Sequence, residues 1–140
     1  MKVYLALPVV TGREAGIPYG EILAELQALG HSVLTQHLLD PIHLNQERAR
    51  PRPFIFQRDL HWLKEADLFV AEVSLPSTGV GYEICQALHW GKPMVCLAQE
   101  NRFVSAMVEG NPAVNLIRYD SNEEVRQHLR TWLASLAKSF

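Results

Sequence analysis

Five short apolar segments, separated by segments with helical spacing, constrain the fold of this chain most strongly. They are Lys2–Leu7, Ser32–Thr35, Asp67–Val73, Pro93–Leu97 and Ala113–Arg118. Near-continuous apolar runs of this kind are typical of strands buried on both faces of a parallel sheet. Because helical segments alternate with them, we predict an α/β fold: a doubly wound, mainly parallel five-stranded sheet with helices on both faces, of the Rossmann or flavodoxin-like type. A chain of 140 residues has room for one such domain, which we place at 1–140.

The predicted helices have recognisable ends. One apolar stripe, from Ile22 to Leu29, begins after Pro18 and stops at Gly30. Further helices are predicted at Phe54–Ala66, from the Gly79 region to Gly91, at Phe103–Val108 and at Glu123–Ala137. The segment His37–Pro53 contains three prolines and many polar residues, so we predict a long loop there.

A binding site is expected where the strands end. Doubly wound sheets bind ligands at the carboxyl ends of their strands, near the point where the strand order reverses. The loops Pro8–Gly12 and Ser74–Gly79 follow the first and third strands and therefore qualify. They are the first places to look for functional residues.

The second of these loops leads into a glycine-containing helix start. Gly79 and Gly81 would let the backbone approach a ligand and would present free N–H groups, while Ser77 would add a hydroxyl. Such a group is suited to a phosphate or a sugar hydroxyl, but serine and glycine are also ordinary capping residues. The spacing matches neither a Walker loop nor a dinucleotide fingerprint.

Two carboxylates are candidates for catalysis. Glu83 is predicted in the first turn of the helix, where an acid also interacts favourably with the helix dipole by about 0.3–1 kcal/mol. Asp59 lies in the helix before the third strand, where it is able to face the same crevice or simply to pair with Arg58 or Lys64. Most enzymes that cleave glycosidic bonds use two carboxyl groups placed on either side of the bond.

Two further side chains are expected near these acids. Tyr4 in the first strand has a phenol that would orient a carboxylate, although core packing is its plainer role. His37, after the second strand, would line the mouth of the site. The six histidines show no metal-ligand spacing, so we expect no metal and no cofactor.

Composition limits the partners. The net charge of −2 gives no electrostatic reason to expect binding to nucleic acid or to a membrane surface. No stretch approaches the ~20 apolar residues of a membrane span, and the first residues lack a signal-peptide layout. Cys85 and Cys96 are too few for a disulfide framework, so we expect buried free thiols and a cytoplasmic location.

The segment Arg58–Leu97 carries a resemblance to a known family. It reads RDLHWLKEADLFVAEVSLPSTGVGYEICQALHWGKPMVCL, and the later VSAMVEG segment, Val104–Gly110, fits the same pattern. The combination resembles the 2′-deoxynucleoside 5′-monophosphate N-hydrolases, the Rcl-like branch of the nucleoside 2-deoxyribosyltransferase superfamily. The match is dense over about a third of the chain, and it also includes the strand-one tyrosine and the TQHLLD segment.

The resemblance implies a Rossmann-like homodimer that hydrolyses deoxynucleoside monophosphates to free base and deoxyribose 5-phosphate. Glu83 would be the nucleophile that forms a covalent ester with the sugar, and Asp59 would bind the sugar and help protonate the departing base. Tyr4 would orient Glu83. Ser77 would hold the 5′-phosphate, with Ser105 contributed across the interface by the partner subunit.

The first loop departs from the family pattern. That loop usually reads like G-S-I-R-G, but here Pro8 stands in place of the serine and Val10 in place of the arginine. Two expected phosphate contacts are therefore missing, and Thr11 is our candidate substitute.

Three other functions remain open from the sequence. One is a nucleoside 2-deoxyribosyltransferase, in which a second base intercepts the sugar ester; another is a glycosidase of ribonucleotides such as cytidine monophosphates. The third is a nucleotide-binding module without turnover, against which the presence of both Glu83 and Asp59 argues. The Ser105–Met107 segment favours hydrolysis over transfer, because the transferases typically place an asparagine there, whereas the altered first loop favours transfer.

Overall fold

A computed structural model of the chain describes residues 1–8 and 16–139. The strands in this part of the chain are β1 (Lys2–Ala6), β2 (Ser32–Val33), β3 (Leu68–Glu72), β4 (Met94–Gln99) and β5 (Leu116–Tyr119). The α-helices are α1 (Tyr19–Ala28), α2 (Pro41–Ala49), α3 (Arg52–Glu65), α4 (Thr78–His89), α5 (Ala106–Glu109) and α6 (Asn122–Ala137), with a 3-10 helix at Gln36–Leu39. The predicted alternation of strands and helices is confirmed.

The strands form one parallel sheet in the order β2-β1-β3-β4-β5. The chain moves outward from β1 to β2, and it then returns to place β3 on the other side of β1. The strand order therefore reverses between β1 and β3, and a crevice is expected beyond their carboxyl ends. This is the doubly wound arrangement predicted from the sequence.

Alternating side chains of the strands supply two separate cores. Val3 and Leu5 of β1 pack on the face that α1 and α6 cover, together with Leu26 and Leu129. Tyr4 and Ala6 point to the opposite face, where α3 and α4 pack. The alternation follows from the two-residue repeat of a strand, so each helix pair covers one side of the sheet.

The prediction of a long loop at His37–Pro53 is wrong. The segment contains most of the 3-10 helix and the whole of α2, and it ends inside the first turn of α3. Its prolines lie at helix starts. Pro41 is the first residue of α2, and Pro51 precedes α3. At the start of α2, the Asp40 carboxylate accepts a hydrogen bond from the Ile42 N–H at 2.9 Å. Proline fits these positions because the first N–H groups of a helix have no internal acceptor.

Several element ends also differ from the predicted ones. β2 stops at Val33 because the buried hydroxyl of Thr35 replaces the next strand bonds, accepting from the Leu5 N–H at 3.1 Å and donating to the Leu5 carbonyl at 2.7 Å. β5 begins later than predicted, at Leu116, since residues 111–114 form a turn closed by hydrogen bonds to Asn111. These changes leave the strand order unaffected.

Two expectations about the surface can be compared with the structure. No helix in residues 1–8 and 16–139 combines the length and the apolar character needed to cross a membrane. Cys96 is a buried free thiol as predicted, whereas the expected burial of Cys85 is wrong. α4 buries Val80, Ile84 and Ala87 instead, so Cys85 falls outside its buried stripe.

Candidate active site

A cavity of about 310 Å³ lies between α3 and α4. It contains both candidate acids, and we call it the acid cavity; its lining residues are Phe56, Asp59, Leu60, Leu63, Thr78, Gly79, Tyr82 and Glu83. α3 runs into β3 and α4 leaves it, so the connections of one central strand bring the two acids to the same crevice.

Glu83 occupies a different place in its helix from the one predicted. α4 begins at Thr78, so Glu83 is its sixth residue and lies in the second turn, with no acidic residue in the first. A capping role is therefore excluded for this carboxyl group, because the helix dipole acts mainly within the first turn. The side chain points into the acid cavity, where it is partly buried.

The surroundings of Glu83 favour its neutral form. Burial raises the pKa of this carboxyl group to about 8, and the nearby charge of Asp59 contributes in the same direction. A hydrogen bond with the Tyr4 phenol acts against this rise. A carboxyl group that titrates near neutral pH is common at catalytic sites and unusual elsewhere.

Tyr4 lies beneath this acid in the floor of the site. Its side chain is 2% exposed, and its ring stacks on Phe69 of the neighbouring strand with a centroid distance of 5.9 Å. Burial and the charges of Glu83 and Asp59 raise the pKa of the phenol well above its usual value. The phenol therefore stays protonated and acts as a fixed donor toward Glu83.

Asp59 is held by the residue next to it. Nε and Nη2 of Arg58 both donate to Oδ1 of Asp59, at 3.0 Å and 2.8 Å. Burial raises the pKa of the Asp59 carboxyl group, and the hydrogen bond and charge of Arg58 oppose that rise. Of the two partners that the sequence suggested for Asp59, the structure selects Arg58.

Arg58 is itself anchored by residues that the sequence analysis did not identify. Its Nη1 donates to Oε2 of Glu47 at 2.8 Å, and its Nη2 donates to the other oxygen of that carboxylate. Glu47 belongs to α2 and is 3% exposed, and the guanidinium carbon lies 4.6 Å from the centre of the Trp62 ring. Glu47 fell within the predicted loop, so the sequence carried no signal for this contact.

A second cavity, of about 530 Å³, lies on the other side of the start of α4. Ser77, Gly81 and Ser105 line it together with largely apolar side chains, and we call it the serine cavity. Thr78 lines both cavities, which therefore adjoin across the first turn of α4. The structure brings Ser77 and Ser105 of one chain together here, apart from the acids.

The start of α4 offers fewer free donors than predicted. Ser77 caps the helix by accepting a hydrogen bond from the Val80 N–H at 3.3 Å, and the Ser77 carbonyl accepts from the Gly81 N–H at 3.1 Å. The prediction of a free N–H at Gly81 is therefore wrong. Gly79 has a different role, since a Cβ atom there would lie 4.0 Å from Oε1 of Glu83. Gly79 thus forms part of the wall around the acid.

Gln99, at the end of β4, joins the loops around the site. Its backbone N–H donates to the Ser74 hydroxyl at 2.9 Å, and its side-chain Nε2 donates to the Gly16 carbonyl at 2.9 Å. Its Oε1 accepts from Nε of Arg102 at 3.2 Å. One residue therefore contacts the loops that follow β1, β3 and β4, and the sequence analysis did not identify it.

Two predicted site residues are not among those that line the cavities. His37 is not among the residues that line either cavity, and its ring packs against Trp62 with a centroid distance of 5.1 Å, so its predicted place at the mouth of the site stays a prediction. The 3-10 helix turns it toward α3. Thr11 lies outside the described residues. Across residues 1–8 and 16–139, no group of three or more His, Cys, Asp or Glu side chains is placed to hold a metal ion.

A five-stranded parallel sheet with two acids facing one cavity beside the reversal of its strand order defines a Rossmann-like protein with a paired-carboxyl site. The model of the family described as nucleoside 2-deoxyribosyltransferase matches residues 3–117. The chain belongs to this family, as its resemblance predicted.

Named relatives cover most of the chain. A protein of Syntrophotalea carbinolica, named "Putative 2′-deoxynucleoside 5′-phosphate N-hydrolase 1", is 40% identical over 136 residues, which span 96% of this chain and 95% of that protein. The 5-hydroxymethyl-dUMP N-hydrolase of Rattus norvegicus is 43% identical over 113 residues, which span 78% of this chain and 69% of the rat protein. Both are similar over the region that contains the two acids.

A solved structure shares the fold at lower sequence identity. The CMP N-glycosidase of Clostridium botulinum superposes with a TM-score of 0.72 over 94% of this chain and 99% of that one. The two sequences are 22% identical, so this likeness concerns the fold alone.

Proposed function

We propose that the protein hydrolyses the N-glycosidic bond of 2′-deoxynucleoside 5′-monophosphates, releasing the free base and deoxyribose 5-phosphate. The observation that carries the proposal is the meeting of Glu83 and Asp59 in one cavity, with the Tyr4 phenol against Glu83. The names of the relatives that are about 40% identical agree with this chemistry. Membership of the family supports it further.

In the first step, the proton shared by the pair lies on Asp59, and an oxygen of the ionised Glu83 carboxylate bonds to C1′ of the sugar as the bond from C1′ to the base nitrogen breaks. The electron pair of that bond stays with the base, which takes the proton of the Asp59 carboxyl group. The result is a sugar ester of Glu83, a neutral base and an Asp59 carboxylate. Splitting the displacement in this way suits two carboxyl groups that act on a transition state with oxocarbenium character.

In the second step, water attacks C1′ and the bond from C1′ to Glu83 breaks. Its electron pair returns to Glu83 as a carboxylate, and Asp59 takes a proton from the water. The pair is then restored to its starting state, with one proton shared between two acids. Tyr4 serves both steps because its hydrogen bond favours the ionised form of Glu83.

The walls of the acid cavity suit a nucleobase. Phe56 and Tyr82 are each about half exposed and stand edge to face, with ring centroids 6.3 Å apart. Leu60 and Leu63 add apolar surface on the α3 side. A flat aromatic base is stabilised by such rings, and closing the site over it would exclude water.

We assign the 5′-phosphate to the side of the serine cavity. Ser77 lies at the start of α4, where the helix dipole and the first N–H groups favour an anion. Thr11 remains our candidate for a further contact from the first loop.

We also propose that the active form is a homodimer in which Ser105 reaches the partner's site. Phe103 and Met107 flank Ser105 and are 82% and 84% exposed. The two side chains line the same cavity, and neighbouring large apolar side chains that are exposed together are typical of an interface. A second copy of the chain would cover them and would bring Ser105 toward the other subunit's phosphate.

A panel of nucleotides and nucleosides, scored by chromatography for released base, tests the proposal. We expect release from deoxynucleoside monophosphates, with slower turnover of deoxynucleosides that lack the phosphate. Base exchange on unphosphorylated nucleosides in the presence of an acceptor base would instead assign a transferase. Preferred cleavage of cytidine monophosphate would assign a ribonucleotide glycosidase, and binding without any release would assign a nucleotide-binding module.

A further inference from the structure

We infer that Arg58 is a positioning residue that determines which oxygen of Asp59 carries the proton for the departing base. The inference rests on the proposed function, because it assigns Asp59 as the proton donor. It adds a residue that touches neither the sugar nor the base and that acts through Asp59.

The hydrogen bonds of Asp59 are one-sided. Both donors of Arg58 bond to Oδ1, at 3.0 Å and 2.8 Å, and no hydrogen bond reaches Oδ2 from residues 1–8 or 16–139. An oxygen that accepts two N–H groups has little capacity left to carry a proton of its own. The acidic proton is therefore placed on Oδ2, the oxygen that remains available for the departing base.

The guanidinium group is fixed in place by residues outside the acid cavity. Glu47 holds it from α2 through two parallel hydrogen bonds, and the rings of Trp62 and Phe54 lie 4.6 Å and 5.7 Å from its central carbon. Glu47 is almost completely buried. A planar guanidinium group that is bound at one edge and stacked on aromatic rings has few alternative positions. Its hydrogen bonds to Oδ1 therefore fix the orientation of the Asp59 carboxyl group.

Several charged groups face Asp59, and they act in opposite directions. Arg58 lowers the pKa of Asp59, whereas burial and Glu47 raise it. Glu83 faces it across the cavity and Tyr4 lies below the pair. Loss of the Arg58 charge is therefore expected to make Asp59 a weaker acid, because burial and Glu47 would then raise its pKa without opposition.

The chain contains a matched control for the loss of this arginine. Arg130 of α6 binds Glu25 of α1, with Nε 2.5 Å from Oε1 and Nη2 3.2 Å from Oε2. Glu25 is 6% exposed, so this pair also couples an arginine to a buried glutamate, but it lies on the α1 and α6 side of the sheet. Arg130→Met also leaves a buried glutamate without its arginine and does not touch Asp59, although the Arg130 side chain is 51% exposed and that of Arg58 is 14% exposed.

The test compares Arg58→Met, Arg58→Lys and Arg130→Met on two substrates. One is a deoxynucleoside monophosphate, and the other is 4-nitrophenyl 2-deoxyribose 5-phosphate, whose leaving group departs as a stable anion and needs no proton. With the nucleotide, we expect Arg58→Met to lower kcat by about 10–100-fold and to leave KM within about threefold, because proton donation acts in the transition state. With the nitrophenyl substrate, we expect Arg58→Met to lower kcat by less than about threefold, because this leaving group needs no proton.

Arg58→Lys and Arg130→Met separate a role in proton donation from a structural role of Arg58. Arg58→Lys keeps the charge but loses the planar two-donor contact, so we expect an intermediate loss and a partial rescue. The acidic limb of the kcat/KM profile should move to higher pH in Arg58→Met and much less in Arg58→Lys. Equal losses on both substrates, or equal losses in Arg58→Met and Arg130→Met, would show a merely structural role and overturn the inference.

A titration of the Asp59 carboxyl carbon by NMR separates this inference from the proposed function. The pKa of Asp59 should rise in Arg58→Met whether or not the protein turns over a nucleotide, and an unchanged pKa overturns the inference. If the wild type releases no base from any nucleotide, the proposed function fails, and the role of Arg58 as a guide of proton transfer fails with it. If Arg58→Met does not fold, the Arg58→Lys comparison on the two substrates decides.

Discussion

The phenol of Tyr4 hydrogen-bonds the carboxyl group of Glu83 from the strand beneath it, and this contact counteracts the effect of burial on the acid. The two residues are far apart in the sequence and meet because α4 packs on the face of the sheet toward which Tyr4 points. The contact gives the acid a preferred orientation as well as a source of stabilisation for its charge.

The pH dependence of catalysis should report this pair. The productive state carries one proton shared between Glu83 and Asp59, so kcat/KM should be bell-shaped and should fall on the alkaline side near a pKa of about 8. Tyr4→Phe removes a hydrogen bond that lowers the pKa of Glu83, so the alkaline limb should move to higher pH, with kcat reduced about tenfold. Steady-state kinetics over the pH range measure both effects; an alkaline limb that stays in place would contradict the role of Tyr4.

The raised pKa of Glu83 also has a consequence for stability. The folded state holds the proton more tightly than the unfolded chain, whose carboxyl group has a pKa of 4.5. The stabilisation linked to this proton is complete below that value and is lost as the pH rises through about 8. The glutamine of Glu83→Gln does not titrate and loses no such stabilisation. The melting temperature of this variant minus that of the wild type should therefore be larger at about pH 9 than at about pH 5. Differential scanning calorimetry at both values checks this, and a difference in melting temperature that is constant with pH would argue against a raised pKa.

Gln99 should affect substrate binding more than chemistry. Gln99→Ala removes the side-chain hydrogen bonds to the Gly16 carbonyl and to Arg102 but retains the backbone bond to Ser74. We expect KM for the nucleotide to rise about fivefold to tenfold with kcat nearly unchanged, because each of the two lost hydrogen bonds contributes about 0.5–0.7 kcal/mol to the ordering of the phosphate-side loops. Gln127→Ala, at an exposed position of α6, is the control and should match the wild type. A fall in kcat with KM unchanged would contradict this assignment.

Mixed dimers can determine where Ser105 acts. Glu83→Gln removes the nucleophile, and Ser105→Ala removes the hydroxyl group proposed to reach the partner's phosphate. A dimer with one substitution in each subunit contains one complete site only if Ser105 is contributed across the interface. We expect the mixture to recover about a quarter of the wild-type activity once the subunits have exchanged. Recovery of none would place Ser105 in its own subunit's site, which it shares with Ser77 in the serine cavity.

The fold could be predicted because each strand and most helices are indicated by short continuous stretches of the sequence. Each strand is a short apolar run, and its alternation with helices leaves few possible topologies. The error at His37–Pro53 arose because proline marks both loops and helix starts, and Pro41 and Pro51 stand at helix starts here. The prediction that Glu83 lies in the first turn of its helix is also wrong, because α4 begins at Thr78, before Gly79 and Gly81.

The site was predictable only in part. The resemblance and the strand order pointed to Glu83 and Asp59, and the structure places both in one cavity. Glu47 and Gln99 were missed because their roles depend on contacts between separate elements. Nothing in the spacing of a sequence indicates that a glutamate on α2 will hold the arginine beside Asp59, or that one side chain will connect several loops.

The central claim is that Glu83 is the group that attacks the sugar, and Glu83→Gln tests it most directly. The measurement is the rate of base release from a deoxynucleoside monophosphate at saturating substrate, with folding verified by the melting temperature. The substitution preserves the shape of the side chain and removes the nucleophile, so we expect the rate to fall at least several hundredfold. A rate within a few-fold of the wild type would contradict the claim.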